Sequence, residues 1–482
     1  MPSTAVNGSH VLVYPYPSSG HVIPFLDLTR RLLTRGFTVT VLVTPQELPL
    51  LQPLISTHSS SSLKTLVVPV PEVPASTPFR HIARIKAMRD HHEPALIQWF
   101  QSHATPPVVA ILSDFFLGWT QDLSGRVGVK RIVFSPSGAC GQSISFTLWK
   151  YLPKKDNPND NDDSSPISFP NLPNSPTYPW WQILPIYRNG VGDPIWEFYR
   201  SINVDNMASW GIVFNSFAEL ENRYLDHLKR EVGHDRVWAV GPLLPDPEDD
   251  AADNSVVYVC FGNRATPTSA QTEALTTALE QSRVHFILCL REPDPEKNAG
   301  DVSEGFEGRV GDRGLVIRGW APQLAILSHR AVGAFLTHCG WNSVVEGLAA
   351  GVVLLTWPMG AEQYTNAELV VEQAGAGVRI GEGTRTIPDP AELARLLVGS
   401  LEGSNEAERV RAKELSRAAM EGVVQGGSSD MDLDDLVKRL NELSTWSSAE
   451  RAFELVSNSD MGSHEAERIP TKELSHARRR SM

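Results

Sequence analysis

"VGAFLTHCGWNSVVEGLAAG", residues 332 to 351, decides how this chain is read. The run "VGAFLT" has the length and apolar character of a buried strand. "HCG" breaks it, with Gly340 able to take a backbone conformation that other residues resist. "WNSVVEGLAAG" then resumes at helical spacing. A strand, a tight turn and a helix start aim the free N–H groups of the first helical turn, and the positive end of the helix dipole, at one point. That is a ready anion site. His338, Asn342 and Ser343 add side-chain donors beside it. Glu346, one turn beyond Asn342, would oppose a phosphate but suits a sugar diol. A plainer account has Asn342 or Ser343 capping the helix and Trp341 in the core. Four polar side chains converging on one helix start favour binding.

The same alternation runs outward in both directions. "HVLVYPYP" is an apolar run that stops at prolines, and "SSGHVIPFLDLTRRLLTRG" places Val22, Phe25, Leu26, Thr29 and Leu33 on one helical face before Gly36 ends it. "FTVTVLVT", "VVAILSD" and "RIVFSP" read as further buried strands, with "GIVFNSF" as the last of that sheet. Between the last two lies the Pro- and Asn-rich stretch "PKKDNPNDNDDSSPISFPNLPNSPTYPWW", whose composition predicts an exposed loop. The pattern restarts at "SVVYVCFGN", after a Pro- and Asp-rich run. Apolar strands alternating with amphipathic helices imply parallel sheets covered on both faces. The expectation is therefore α/β: two Rossmann-like doubly wound domains facing a cleft. The first spans 1–241, a linker 242–254 and the second domain 255–427. A C-terminal helix over 428–443 should pack against a domain, and 444–482 should be a disordered tail.

Composition bounds the function. The chain has 482 residues, 41% hydrophobic and 21% charged, with a net charge of -13. That acidity argues against a nucleic-acid partner, since phosphate-backbone binding is driven by Lys and Arg. Four cysteines are too few and scattered for a disulfide framework or zinc site, and Cys260 and Cys289 read as buried free thiols. No apolar stretch is long enough to cross a bilayer, and the N-terminus lacks a basic region followed by an apolar one. A cytoplasmic monomer is expected.

His21 follows "PSSG" at a helix start, and Asp114 ends "VVAILSD", where the strand-end loops of the first sheet gather. A carboxylate on one imidazole nitrogen fixes the tautomer and leaves the other as a base.

The stretch from Trp320 to Gln363, "WAPQLAILSHRAVGAFLTHCGWNSVVEGLAAGVVLLTWPMGAEQ", resembles the signature box of the plant secondary-product UDP-glycosyltransferases, glycosyltransferase family 1, with the GT-B fold. "PSSGHVIPFLDL" and "ILSDF" are similar to that family's N-terminal features, and the likeness runs from about His10 to Leu443. The resemblance implies that Trp320 stacks on uracil, that Ala321 and Gln323 help hold the uridine, and that Glu346 binds the ribose. It implies that His338, Asn342 and Ser343 hold the diphosphate. Trp341, Glu362 and Gln363 would contact the sugar hydroxyls, Gln363 favouring glucose. His21 would be the base that takes the acceptor proton, oriented by Asp114, with inversion at the anomeric carbon. No metal or resident cofactor is implied; UDP-glucose is a substrate. The acceptor would be a small phenolic such as a flavonoid, because the N-terminal segments look closest to the flavonol and phenolic branch. Phe115, Phe116, Trp119, Trp149 and Phe198 are its candidate aromatic walls.

The chain departs from the family pattern in places. No "WLD"-type helix precedes "SVVYVCFG", Asn263 replaces a small hydroxyl residue, Val352 replaces a common proline, and the tail has no counterpart. These changes set up a rival expectation, an impaired nucleotide-sugar-binding relative with uncoupled domains. A nicotinamide dehydrogenase or a serine hydrolase is disfavoured, since neither G-x-G-x-x-G after a strand nor G-x-S-x-G is present.

Overall fold

A computed structural model describes residues 9–102, 107–244, 254–263, 265–291, 302–384 and 386–445. Two sheets dominate. The first is built from β1 (His10–Tyr14), β2 (Thr38–Val43), β3 (Leu63–Val67), β4 (Val108–Asp114) and β5 (Lys130–Ser135). After a small hairpin, β6 (Pro166–Ser168) with β7 (Thr177–Pro179), it is completed by β8 (Gly211–Phe214) and β9 (Val237–Ala239). The second contains β10 (Val256–Cys260), β11 (His285–Leu290), β12 (Gly314–Arg318), β13 (Val332–Thr337), β14 (Val353–Thr356) and β15 (Gly377–Arg379).

The strand orders are β3-β2-β1-β4-β5-β8-β9 and β12-β11-β10-β13-β14-β15, with every pairing parallel. The central strands β1, β4, β5 and β13 are buried along their whole length, which is why they read as continuous apolar runs rather than alternating ones. In both sheets the chain winds outward from its first strand and then returns to pair on that strand's other side. The winding direction reverses between β1 and β4, and between β10 and β13. Loops at the carboxyl ends of such a strand pair diverge and leave a crevice.

Two expectations change, and a third is made specific. "GIVFNSF" is not the last strand of the first sheet, because "VWA" (Val237–Ala239) adds an edge strand beside it. The Pro- and Asn-rich stretch is not simply an exposed loop: the β6–β7 hairpin buries Ile167, Phe169 and Tyr178. Its apolar residues are spaced among turn formers, so composition alone hid them. The C-terminal helix Ser428–Thr445 crosses back to the first sheet. There Leu433, Leu436, Leu440 and Leu443 join a core with Val11, Phe25 and Trp238, while Asp435 accepts from the Trp238 indole at 2.9 Å. The linker helix in question would fall on 245–253, outside the described residues; of the expected tail, 444–482, Ser444 and Thr445 belong to the C-terminal helix and 446–482 lie outside the described residues.

The two units share one apolar cluster in which Phe214, Phe217 and Tyr224 of the first meet Trp341, Val344 and Ala367 of the second. Among the described residues no helix is long and apolar enough to cross a membrane.

Candidate active site

At the first reversal, the helix Ser19–Thr34 starts just beyond β1 and carries His21 on its first turn. Asp114 is the last residue of β4, so adjacent parallel strands bring two residues far apart in sequence to one point. His21 Nδ1 lies 2.8 Å from Asp114 Oδ2. The other carboxylate oxygen, Oδ1, accepts the Phe116 N–H at 2.9 Å, which locks the carboxylate plane. Asp114 is fully buried and His21 is 12% exposed, so the imidazole is the member of the pair that meets solvent. Its ring stacks on Phe115 and Phe116, with centroids 5.9 and 5.0 Å away, and meets Tyr16 edge-on at 5.4 Å. Tyr16 in turn meets His81 through a 3.1 Å hydrogen bond. Tyr16 and His81 escaped the sequence reading; the doubled "YPYP" at a strand end was the available signal for the first.

Of the other aromatic candidates, Trp119 packs edge-on against Tyr14 at 6.0 Å and is only 4% exposed. Trp149 is enclosed by Tyr187, Trp196 and Tyr199. Phe198 is also buried, under the Arg89 guanidinium. These three are interior residues rather than walls of the cleft. Periodicity cannot separate a ring facing a cleft from one facing the core, because both are apolar positions.

At the second reversal, β10 leads to Gly262 and β13 to His338. Gly262 has φ +67°, and a Cβ there would come within 2.6 Å of the His338 ring; at Gly340 it would meet His338 Nε2 at 2.5 Å. Two glycines therefore make the space for one imidazole. Burial pushes the His338 pKa down to about 4, so the ring is neutral at physiological pH. Its Nδ1 finds no partner within the described protein. The ring is therefore enclosed and uncharged, with one nitrogen unengaged by the described protein.

The helix Trp341–Ala349 begins at Gly340 without a side-chain cap, leaving its first N–H groups free of that competition. Trp341 departs from expectation. Its ring is 2% exposed, and its indole N–H donates to the Asn215 carbonyl of the first unit at 2.8 Å. It is a domain-to-domain contact, and its side chain has no donor left for a sugar hydroxyl. Asn342 Nδ2 likewise donates across the cleft, to the Gly20 carbonyl at 2.9 Å. Asn263 Nδ2 donates to Ser19 Oγ at 2.7 Å, so this departure from the family pattern also ties the units together.

Gln323 Nε2 faces both Ser343 Oγ (2.9 Å) and Glu346 Oε2 (2.8 Å), linking three of the expected residues. Burial raises the Glu346 pKa to about 7 against the opposing Gln323 hydrogen bond. Trp320 is 83% exposed beside Ala321, an open indole face of the sort a nucleobase stacks on. Gln363 Oε1 accepts from the Met359 and Gly360 N–H groups at 2.8 and 3.0 Å, which turns its NH₂ away from that loop. Glu362 lies close to the first unit, its Cβ 3.7 Å from where a Gly141 Cβ would be.

Comparison with known proteins places the chain in a family. The profile of the family described as UDP-glucoronosyl and UDP-glucosyl transferase matches residues 248–395. A flavonol 3-O-glucosyltransferase of Arabidopsis thaliana is 48% identical over 468 residues, covering 90% of this chain and 97% of that one. The chain belongs to this family. It is a UDP-glycosyltransferase with the GT-B fold. A flavonol 7-O-rhamnosyltransferase of Arabidopsis thaliana is 37% identical, covering 91% of this chain and all (100%) of its own length. The crystal structure of Arabidopsis thaliana UGT89C1 complexed with UDP-L-rhamnose superposes with a TM-score of 0.73 at 35% identity, covering 90% of this chain and 99% of that one. A form of the same enzyme complexed with quercetin gives a TM-score of 0.72 at 35% identity, covering 90% and 100%.

Proposed function

We propose that this UDP-glycosyltransferase moves glucose from UDP-glucose to a hydroxyl of a small phenolic, a flavonol being the leading candidate, with inversion at the anomeric carbon. The observation that carries the reading is the His21–Asp114 pair, 2.8 Å apart at one sheet's crevice and across a hydrogen-bonded cleft from the other's uncapped helix start. Asp114 accepts from Nδ1–H, which leaves Nε2 unprotonated and able to take the acceptor's proton. The acceptor oxygen then attacks the anomeric carbon from the face opposite UDP. Charge growing on the departing diphosphate is met by the free N–H groups at Trp341–Ser343, by Ser343 and by the neutral His338, preorganised donors that need not rearrange. Trp320, Ala321 and Gln323 would hold the uridine and Glu346 the ribose, while Glu362 and Gln363 would contact the sugar. A flat phenolic would lie against Phe115 and Phe116.

The choice of glucose rests on Gln363 and on the 48% identity to a glucosyltransferase. One hydrogen bond discriminates by only about 0.5–1.5 kcal/mol, so donor choice is the part to test first. The rival expectation of uncoupled domains is set aside, since three hydrogen bonds and a shared apolar cluster join the units.

The test is direct. Purified protein is offered UDP-glucose and UDP-rhamnose in competition, with a flavonol panel as acceptors. A hexose mass gain and a β-configured anomeric proton in the product are expected. A deoxyhexose gain would overturn the donor assignment, and an α product the mechanism.

A further inference from the structure

The transfer chemistry uses none of the four cysteines, and two of them are neighbours. Cys260 and Cys289 are direct partners in the parallel register of β10 and β11. Neighbouring strands lie about 4.7–4.9 Å apart, inside the Cα separation a disulfide can span, and registered residues face the same side. Both are free thiols; Cys260 is 8% exposed and Cys289 is more open. The single Cys289 S–H faces both the Cys260 sulfur and the Gly319 carbonyl, the latter at 3.6 Å. Cys260 Sγ also accepts the Gly262 N–H at 3.4 Å. These donors favour a thiolate at Cys260 and push its pKa below the ordinary thiol value.

The pair touches both rims of the nucleotide site. Gly262, held by Cys260, is the glycine against which His338 packs. Gly319, faced by Cys289, has φ +97° and immediately precedes the exposed Trp320.

We propose that Cys260 and Cys289 form a reversible oxidation site, at which a hydroperoxide closes a disulfide that weakens UDP binding. The Cys260 thiolate attacks one peroxide oxygen, giving a sulfenic acid and hydroxide, which takes up a proton to become water. The Cys289 sulfur then displaces the sulfenic oxygen as a second water, so two thiols and one hydrogen peroxide give one disulfide and two waters. The S–H to Gly319 and the anionic acceptor for Gly262 are lost together. The weakening of UDP binding rests on the donor-site reading above; formation of the bridge does not.

The full chain is treated with hydrogen peroxide, mapped by peptide mass spectrometry and titrated calorimetrically with UDP, before and after dithiothreitol. The expected result is a Cys260–Cys289 linked peptide lighter by two hydrogens, with UDP affinity down roughly fivefold or more and restored by the reductant. Cys289→Ser, which keeps a donor toward Gly319, should bind UDP normally and lose the reversible response. Peroxide treatment that leaves both thiols free, or carries them to sulfinic acid without a bridge, overturns the proposal. So does a bridge that leaves UDP affinity unchanged. Failure of the reduced protein to bind UDP at all would instead sink the donor-site reading, while the linked peptide would still report on the bridge.

Discussion

His21 and His338 stand at the winding reversals of two sheets with the same parallel construction, yet their surroundings are opposite. In the first sheet the β1 loop supplies an imidazole and the end of β4 a buried carboxylate, which meet at 2.8 Å. In the second sheet the β10 loop supplies Gly262 and the β13 loop supplies the imidazole, which meets glycines where its counterpart meets an acid. One ring is tethered to a carboxylate and partly exposed. The other is enclosed and held neutral, with its pKa near 4. Topology fixes where reactive groups gather; the atom opposite the ring fixes what that ring does.

That contrast can be broken at four places. The largest effect belongs to His21→Ala, which should lower turnover on the order of 10²–10⁴-fold while leaving UDP affinity nearly unchanged, read by steady-state rates beside calorimetry. Equal loss of both would mean that His21 serves the donor site. Asp114→Asn comes next. The Phe116 N–H keeps the amide oxygen, so the NH₂ turns toward Nδ1 and forces the proton onto Nε2, where it blocks the base. Turnover should fall about 10²-fold, with thermal stability changing far less than in Asp114→Ala.

Gly262→Ala should act on the second histidine. The new methyl would need the His338 ring to move, at a left-handed backbone position, and UDP should bind roughly tenfold more weakly, a change of about 1.4 kcal/mol. The smallest effect on turnover or UDP affinity is expected from Glu346→Gln. With a folded pKa near 7, Glu346 contributes stability below its unfolded value of 4.5 that is lost as pH rises through 7. The variant should therefore gain at most about 1–3 kcal/mol relative to wild type at pH 8, and nothing at pH 4. Its UDP affinity should be a few-fold lower at pH 8, with the gap narrowing toward pH 6 as the wild-type carboxyl protonates. A constant gap would remove Glu346 from the ribose-binding role.

Much of this site was legible in order. The strand–turn–helix around His338 and the one around His21 each lie within a short window, so local pattern revealed both. The surroundings of the Trp341 and Trp119 rings were hidden for one shared reason. An indole between a glycine and a polar residue reads the same whether it faces a ligand, the core or another domain, and Trp341 faces a carbonyl more than a hundred residues away at Asn215. Tyr16, His81 and Gly262 were passed over because each owes its place to a contact made across strands.

The amino-acid sequence alone determined the parallel α/β architecture, the two-unit organisation and the position of the uncapped helix start at Trp341, because those follow from apolar periodicity and turn chemistry over ten to twenty residues. Tertiary structure alone decided which groups meet: His21 with Asp114, Asn342 with the Gly20 carbonyl, Asn263 with Ser19, Cys260 with Cys289. Those pairings depend on strand order and domain closure, and neither is written in the spacing of neighbouring residues.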